Sequence, residues 1–285
     1  MHSDPRGTLY IVATPIGNLA DMSPRAVEIL QSVDIIACED TRHSKKLLDH
    51  YHINSPTMTY HEHSDRQSID KILTRLARRD SVALISDAGT PLISDPGYRL
   101  VAVARQQGVT VIPIPGSCAL VSALSVCGLA TDRFSFIGFL PAKSAARKAA
   151  LQAWKTSSET LVCYEAPHRI VDTLADAMEV LGAEREAFVA REISKKFETY
   201  SRATLAELHT MVVADICQQR GEIVLIIAAS PPASGIITGD AERILSLLKV
   251  ELSPSKAASV TAKITGLDKR ALYRHAMQGS STANA

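Results

Sequence analysis

Residues 85–97 read ISDAGTPLISDPG: Ser86, Asp87, Ala88 and Gly89 form one Ser-Asp-x-Gly, and Ser94, Asp95, Pro96 and Gly97 form another eight residues on. The stretch follows Val82-Ala83-Leu84-Ile85, a short apolar run with no polar alternation. Such a run fits a strand buried on both faces, which belongs to a parallel sheet covered by helices. In open sheets of that kind ligands bind outside the carboxyl ends of the strands, where loops and helix N-termini converge. The stretch therefore predicts α/β architecture and marks one strand end as a candidate ligand wall. Glycine and proline after a strand also make ordinary turns, and Asp beside Gly commonly makes an Asx-turn.

The same alternation extends in both directions. Strands are expected over 9–13, 35–38 and 109–114, and a helix over 64–78, where Ile69, Ile72, Leu73 and Leu76 recur at helical spacing. Another helix is expected to start at Ser23 as N-cap with Pro24 in its first position. Beyond Pro115 come a small-residue apolar helix over 119–126, strands over 134–139, 161–164 and 223–229, and a helix over 170–181. Strands over 188–191 and 199–202 follow each other closely, which favours a mixed or antiparallel second sheet. The expected organisation is an N-terminal α/β domain over 1–115 with a mainly parallel sheet, and a C-terminal α/β domain over 116–230 with a mixed one. A third segment, 231–285, reads as a Pro/Gly/Ser linker followed by helix, glycine turn and helix, the outline of a helix-turn-helix.

Composition narrows the classes. A chain of 285 residues, 46% of them hydrophobic, can bury a sizeable core. Its longest apolar stretch, 223–229, falls far short of the roughly 18 residues of a membrane span, and no secretory leader opens the chain, so a cytoplasmic protein is expected. Five dispersed cysteines without a Cys-x-x-Cys pair indicate neither a disulfide framework nor a zinc site. His61-Glu62-His63 offers two imidazoles and a carboxylate but no third ligand at suitable spacing, so no metal is expected and the two histidines suit a substrate-facing role better.

Three glycine-bearing loops follow strands: 13–19, the quoted stretch, and Ile114-Pro115-Gly116-Ser117. None matches G-x-G-x-x-G or G-x-x-x-x-G-K-[ST], which argues against a dinucleotide or nucleoside triphosphate in the usual cradle and leaves another adenosine-containing ligand open.

Taken in order, Thr14-Pro15-Ile16-Gly17-Asn18-Leu19, Glu39-Asp40-Thr41-Arg42, the two Ser-Asp-x-Gly segments, Tyr164-Glu165-Ala166-Pro167-His168-Arg169 and Gly221-Glu222 resemble the bacterial ribosomal RNA 2′-O-ribose methyltransferases of the tetrapyrrole-methylase superfamily. The resemblance implies a two-domain tetrapyrrole-methylase-like fold, S-adenosylmethionine in the cleft between the domains, a homodimer, and a cytidine ribose in the decoding region of small-subunit ribosomal RNA as substrate. It implies cofactor contacts from Pro15, from Asp87, Ala88, Gly89 and Thr90, from Pro115, Ser117, Cys118 and Ala119, and from Tyr164, Glu165 and Glu222. Asp87 would be the polar handle, and small residues beside it would let backbone approach closely. Relatives usually read Pro-Gly-Pro-Ser-Ala where this chain has Pro115-Gly116-Ser117-Cys118-Ala119, so Cys118 occupies a serine position.

Methyl transfer to a ribose hydroxyl needs a positioned nucleophile and help with its proton, from a base or a nearby cation. Arg42, Lys195 and Glu192 are the candidates for that chemistry; Asn18, Asp40, Arg42, His61, His63 and Lys196 are candidates for substrate contact. In the tail, Lys263, Lys269 and Arg270, with Lys256 and Arg274, would give a helix-turn-helix a basic face for RNA phosphates. Two rivals stay open: C-methylation of a tetrapyrrole on the same fold, and a non-catalytic ribosome-binding protein.

Overall fold

A computed structural model describes residues 7–60, 66–231 and 239–278. The first sheet contains β1 (Thr8–Val12), β2 (Ile35–Cys38), β3 (Thr57–Thr59), β4 (Val82–Ile85) and β5 (Thr110–Ile114), in the order β3-β2-β4-β1-β5 with every pair parallel. Period-two geometry sends alternate residues of the apolar runs to opposite faces. Val82 and Leu84 join Ile35 and Ala37 in one core, while Ala83 and Ile85 join Ile36 and Cys38 in the other. Helices α3 (Arg66–Ala77) and α4 (Tyr98–Gln106) cover the first of these faces, and α1 (Pro24–Ser32) and α2 (Thr41–His50) the second. Helix α1 starts where the sequence puts it, with Ser23 Oγ accepting the Ala26 amide at 3.2 Å. Helix α2 goes beyond the expectation for that region. Leu47 and Leu48 are its only aliphatic side chains, so hydrophobic spacing gives no signal, and Asp40 caps it by accepting from the amides of Arg42 and His43.

The second half comprises α5 (Ala119–Val126), β6 (Phe134–Phe139), α6 (Ser144–Gln152), β7 (Thr160–Glu165), α7 (Ile170–Leu181), β8 (Glu186–Arg191), β9 (Thr199–Thr204), α8 (Leu205–Ala214) and β10 (Ile223–Ile227). Its sheet runs β6-β7-β10-β8-β9; the first pair is parallel and the rest antiparallel, the mixed sheet expected from the closely spaced strands. Ile223, Leu225 and Ile227 face α6, α7 and α8, whereas Val224 and Ile226 face α5. Ile93, from the quoted stretch of the first half, packs into this α5-side core.

The carboxyl-terminal unit has three helices, α9 (Gly239–Glu251), α10 (Pro254–Thr265) and α11 (Lys269–Gln278), around Leu245, Ala257, Ala258, Leu272 and Ala276. Gly266, at φ 73°, ends α10 in the left-handed conformation that glycine adopts freely. The sequence reading has the last two helices only. Helix α9 escapes it because Leu247 and Val250 are exposed, so its apolar residues do not form a single stripe. The expected linker over 230–235 lies, apart from Ser230 and Pro231, outside the described residues. Among the described residues no helix is long and apolar enough to cross a membrane.

Candidate active site

Strands β4, β1 and β5 lie side by side, so their carboxyl-terminal loops are neighbours. Main-chain atoms tie them together. The Thr14 amide donates to Gly89 O at 2.8 Å and the Gly89 amide returns a bond to Thr14 O at 3.0 Å, an antiparallel bridge between the first two loops. Thr90 Oγ1 donates to Ser117 O at 2.9 Å, which joins the third. A Cβ at Gly116 would sit 2.9 Å from the Cβ of Ala13, so the first and third loops touch only because position 116 has no side chain.

These loops form one wall of a cleft of about 450 Å³ whose opposite wall comes from the second sheet. That volume suits a nucleoside-sized ligand. Asp87, Ala88, Gly89 and Thr90 line it, as do Cys118 and Ala119. Asp87 Oδ1 accepts the Asp40 amide at 3.4 Å, which links the quoted stretch to the cap of α2. From the other side come Tyr164, Glu165 and Glu222. Pro15, Pro115 and Ser117 do not line it, although Ser117 accepts from the lining residue Thr90 through its carbonyl.

Tyr164 and Glu165, adjacent in β7, point to opposite faces. Tyr164 packs on the α5 side, and its phenol oxygen accepts the Leu120 amide at 3.3 Å. Burial pushes its pKa up to about 12, so the phenol keeps its proton at neutral pH and can donate it to a ligand. The Glu165 carboxyl has no exposed surface. It accepts from the Ala166 amide at 2.8 Å and Thr173 Oγ1 at 2.7 Å and lies 3.2 Å from Arg169 Nε, so it braces the wall from within.

Of residues 192–198, Ile193 lines the cleft, while Glu192 and Lys195 are bonded to the lining residue Glu222. Burial would raise the Glu192 carboxyl, but the Lys195 ammonium at 2.6 Å and the Glu222 amide at 2.9 Å outweigh it and hold the pKa below the ordinary value. Burial would likewise lower Lys195, yet Glu192 and Glu222 (3.1 Å) hold it above its ordinary value. Near neutral pH the pair is therefore carboxylate and ammonium, and Lys195 offers a fixed cation rather than a base. Its stem lies over Gly17, whose Cβ would meet Lys195 Cγ at 2.3 Å, and Ser194 Oγ donates to Asp21. Gly221, at φ 81°, has no room for a Cβ because the Glu192 carboxylate occupies that space. Leu92, Ser94, Glu192 and Ser194 all have positive φ, so both loops hold strained backbone of the kind that gathers at functional sites.

Other expected residues have local partners. Asn18 caps the short turn at Leu19–Asp21 by accepting the Ala20 amide, and Asp40 caps α2, its carboxyl lowered first by the Arg42 amide. Arg42 is 91% exposed beside Asp40, at 3.6 Å. Lys196 lies over the Phe197 ring, 5.4 Å from its centroid. Lys263, Lys269 and Arg270 are exposed on α10 and α11. His61 and His63 lie outside the described residues. The sequence reading gives Asp95 to a turn and does not single out Phe139 or Ile193; all three line the cleft. The apolar pair Leu92-Ile93 inside a loop was one available signal, since Ile93 packs against the second sheet.

The family model of the tetrapyrrole (corrin/porphyrin) methylases matches residues 8–209, and the chain, with its tied loops facing a mixed sheet across a cleft, belongs to this family of methyltransferases. A second model, the RsmI C-terminal HTH domain, matches residues 236–280. Among relatives, a Pseudomonas aeruginosa protein named Ribosomal RNA small subunit methyltransferase I is 52% identical over 95% of this chain and 97% of its own. Proteins of the same name from Escherichia coli O157:H7 and Vibrio cholerae are 47% and 49% identical, over 96% and 95% of this chain and 96% and 94% of theirs. Of solved structures, the methyltransferase CobJ superposes with a TM-score of 0.58 at 14% identity, over 79% of this chain and 95% of that one. Uroporphyrin-III C-methyl transferase from Thermus thermophilus complexed with S-adenyl homocysteine gives 0.53 at 18%, over 78% and 97%. These two likenesses show the fold.

Proposed function

We propose that the protein transfers a methyl group from S-adenosylmethionine to the 2′-hydroxyl of a cytidine ribose in the decoding region of small-subunit ribosomal RNA. The observation that carries this reading is the 52% identity, over nearly both full lengths, to a protein named for small-subunit ribosomal RNA methylation. The cleft's donor set fits the cofactor: the Asp87 carboxylate for its polar groups, the protonated Tyr164 phenol as a donor, and backbone made accessible at Gly89 by the absent Cβ. When bound, S-adenosylmethionine supplies a methyl carbon activated by a neighbouring sulfonium.

The protein's part is to orient and to place charge. Asp87 and the tied loops fix the donor side. Lys195, held protonated, stabilises the negative charge that grows on the ribose oxygen as its proton passes to solvent water and the oxygen takes the methyl group. Glu192 holds the ammonium in place, and exposed Arg42 and Lys196 meet phosphate. The exposed lysines and arginines of α10 and α11 add the sequence-independent attraction to RNA.

In this reading the chain divides at 115/116 and again near 231, as supported by α5 packing on the second sheet rather than the first. It acts in the cytoplasm as a homodimer, which light scattering would check. The test of function is label transfer from the methyl donor to small-subunit RNA of cells lacking the gene, with mass mapping of the product; a 2′-O-methylcytidine in the decoding region is expected. Removing residues 236–285 should weaken RNA binding and leave donor affinity within about twofold; unchanged RNA affinity would refute the role given to the tail.

A further inference from the structure

Strand β6 contains a register change. Phe136 pairs with Val162 of β7 and Phe139 with Tyr164, so three steps along β6 match two along β7. One extra residue in a strand exchanges the faces of everything after it. Under regular alternation Phe139 would follow Ile137 onto the face covered by α6, α7 and α8, and Leu140 would follow Phe136. The reverse is found. Leu140 is buried in the core with Ile137, and Phe139 lies on the side of Phe136 and Tyr164, on the cleft wall. Gly138, at φ 65°, takes up the change in a conformation that other residues rarely adopt.

The ring so placed is more than half exposed, at 55%, although it lines a cleft. It meets Tyr164 edge to face, with centroids 5.9 Å apart and planes at 67°, an arrangement that holds the ring without stacking on it. The backbone just beyond is bracketed. Arg169 donates to the carbonyls of Leu140 at 2.6 Å and Pro141 at 3.1 Å, and is itself held by buried Glu165. A bulge before Phe139 and an arginine clamp after it thus fix an open aromatic ring beside the catalytic space.

We propose that Phe139 is the platform on which the base of the acceptor nucleotide stacks, so that its ribose is presented to the methyl donor. The inference rests on the RNA methyltransferase reading and assigns it a substrate-binding residue. A hydroxyl in the sugar of a paired, stacked strand does not reach into a cleft; splaying the nucleotide out requires a surface that replaces the lost base stacking, and an aromatic face does so without regard to base identity. Glu165 and Arg169 are then positioning residues for the platform.

The test uses the full chain and unmethylated small-subunit RNA, both free and assembled. Phe139→Leu and Phe139→Ala should raise the KM for RNA on the order of 10- to 100-fold, the range for loss of one base–aromatic stack, while Phe139→Trp stays within about threefold of wild type. Calorimetric affinity for the methyl donor should stay within about twofold in all three. Because the chain contains a single tryptophan, emission from Phe139→Trp can be read over the wild-type background, and RNA should quench it. An unchanged KM in a folded, donor-binding Phe139→Leu variant overturns the platform, as does a parallel loss of donor affinity, which would set the ring against the cofactor instead. Absence of quenching does the same. If the wild-type protein transfers no methyl group to RNA, the functional reading falls and the platform with it; if it does, the variants judge the platform alone.

Discussion

The wall from the first sheet is held by main-chain bonds, Thr14 with Gly89, and by Thr90 on a carbonyl of the third loop, whereas the wall from the second is held by charge, with Glu192 and Glu222 on Lys195. Parallel strands bring loop backbone together at one edge. Antiparallel strands offer no such gathering of strand ends, and the second sheet instead holds its loop through long side chains. In the proposed function the difference divides the tasks: neutral backbone suits a fixed grip on a ligand of constant shape, while a held ammonium suits a charge that exists only during reaction.

The comparison breaks most visibly if the backbone wall is forced apart. Gly89→Val puts a β-branched residue at φ 81° with its Cβ 3.3 Å from Ile16. It should cost about 1–2 kcal/mol of stability and, by shifting two loops together, about 100-fold or more in donor affinity, read by thermal melting and calorimetry. On the charged wall, Lys195→Met should lower kcat on the order of 100-fold with donor affinity nearly unchanged, and Lys195→Arg should recover part of the rate. Equal loss of donor affinity in Lys195→Met would erase the division of tasks. Asp87→Ala should weaken donor binding by about 10- to 30-fold while kcat at saturation changes less, the loss of one hydrogen bond to a charged group.

The pH response sharpens the contrast. Glu192 lies below its ordinary 4.5, so the stability it contributes is full above that value and is lost as pH falls toward its folded pKa. Lys195 lies above its ordinary 10.5, so its contribution is full below that value and is lost as pH rises through its folded pKa. Melting temperature compared between wild type and Lys195→Met should show a difference that is greatest between those limits and narrows outside them. The smallest effect is expected at Cys118, which occupies the N-cap of α5 without making a cap hydrogen bond. Cys118→Ser should supply one and raise stability by about 0.5–1 kcal/mol, or roughly 1–2 °C in Tm.

Buried strands were the most legible part of the sequence, because Val82 to Ile85 and Ile223 to Ala229 are apolar without interruption and bounded by polar residues. Helix α2 was not, since its stability comes from the Asp40 cap and a narrow contact through Leu48. The three-residue edge strand β3 is too short for any period. In the site, Asp87 to Thr90 were readable from their position after a strand. Glu165 could have been separated from Tyr164 by period-two alternation alone, which turns neighbouring residues to opposite faces. Phe139 was hidden for the opposite reason: alternation predicts the wrong face there, and only the bulge at Gly138 corrects it.

Lys195 crosses from the second half to lie on Gly17 of the first, so at that edge the two halves stand one hydrocarbon stem apart. The four methylenes that carry the ammonium also fill the seam between the halves. A shorter side chain at 195 would leave that seam unfilled, and any side chain larger than hydrogen at position 17 would meet the Lys195 stem from the other side.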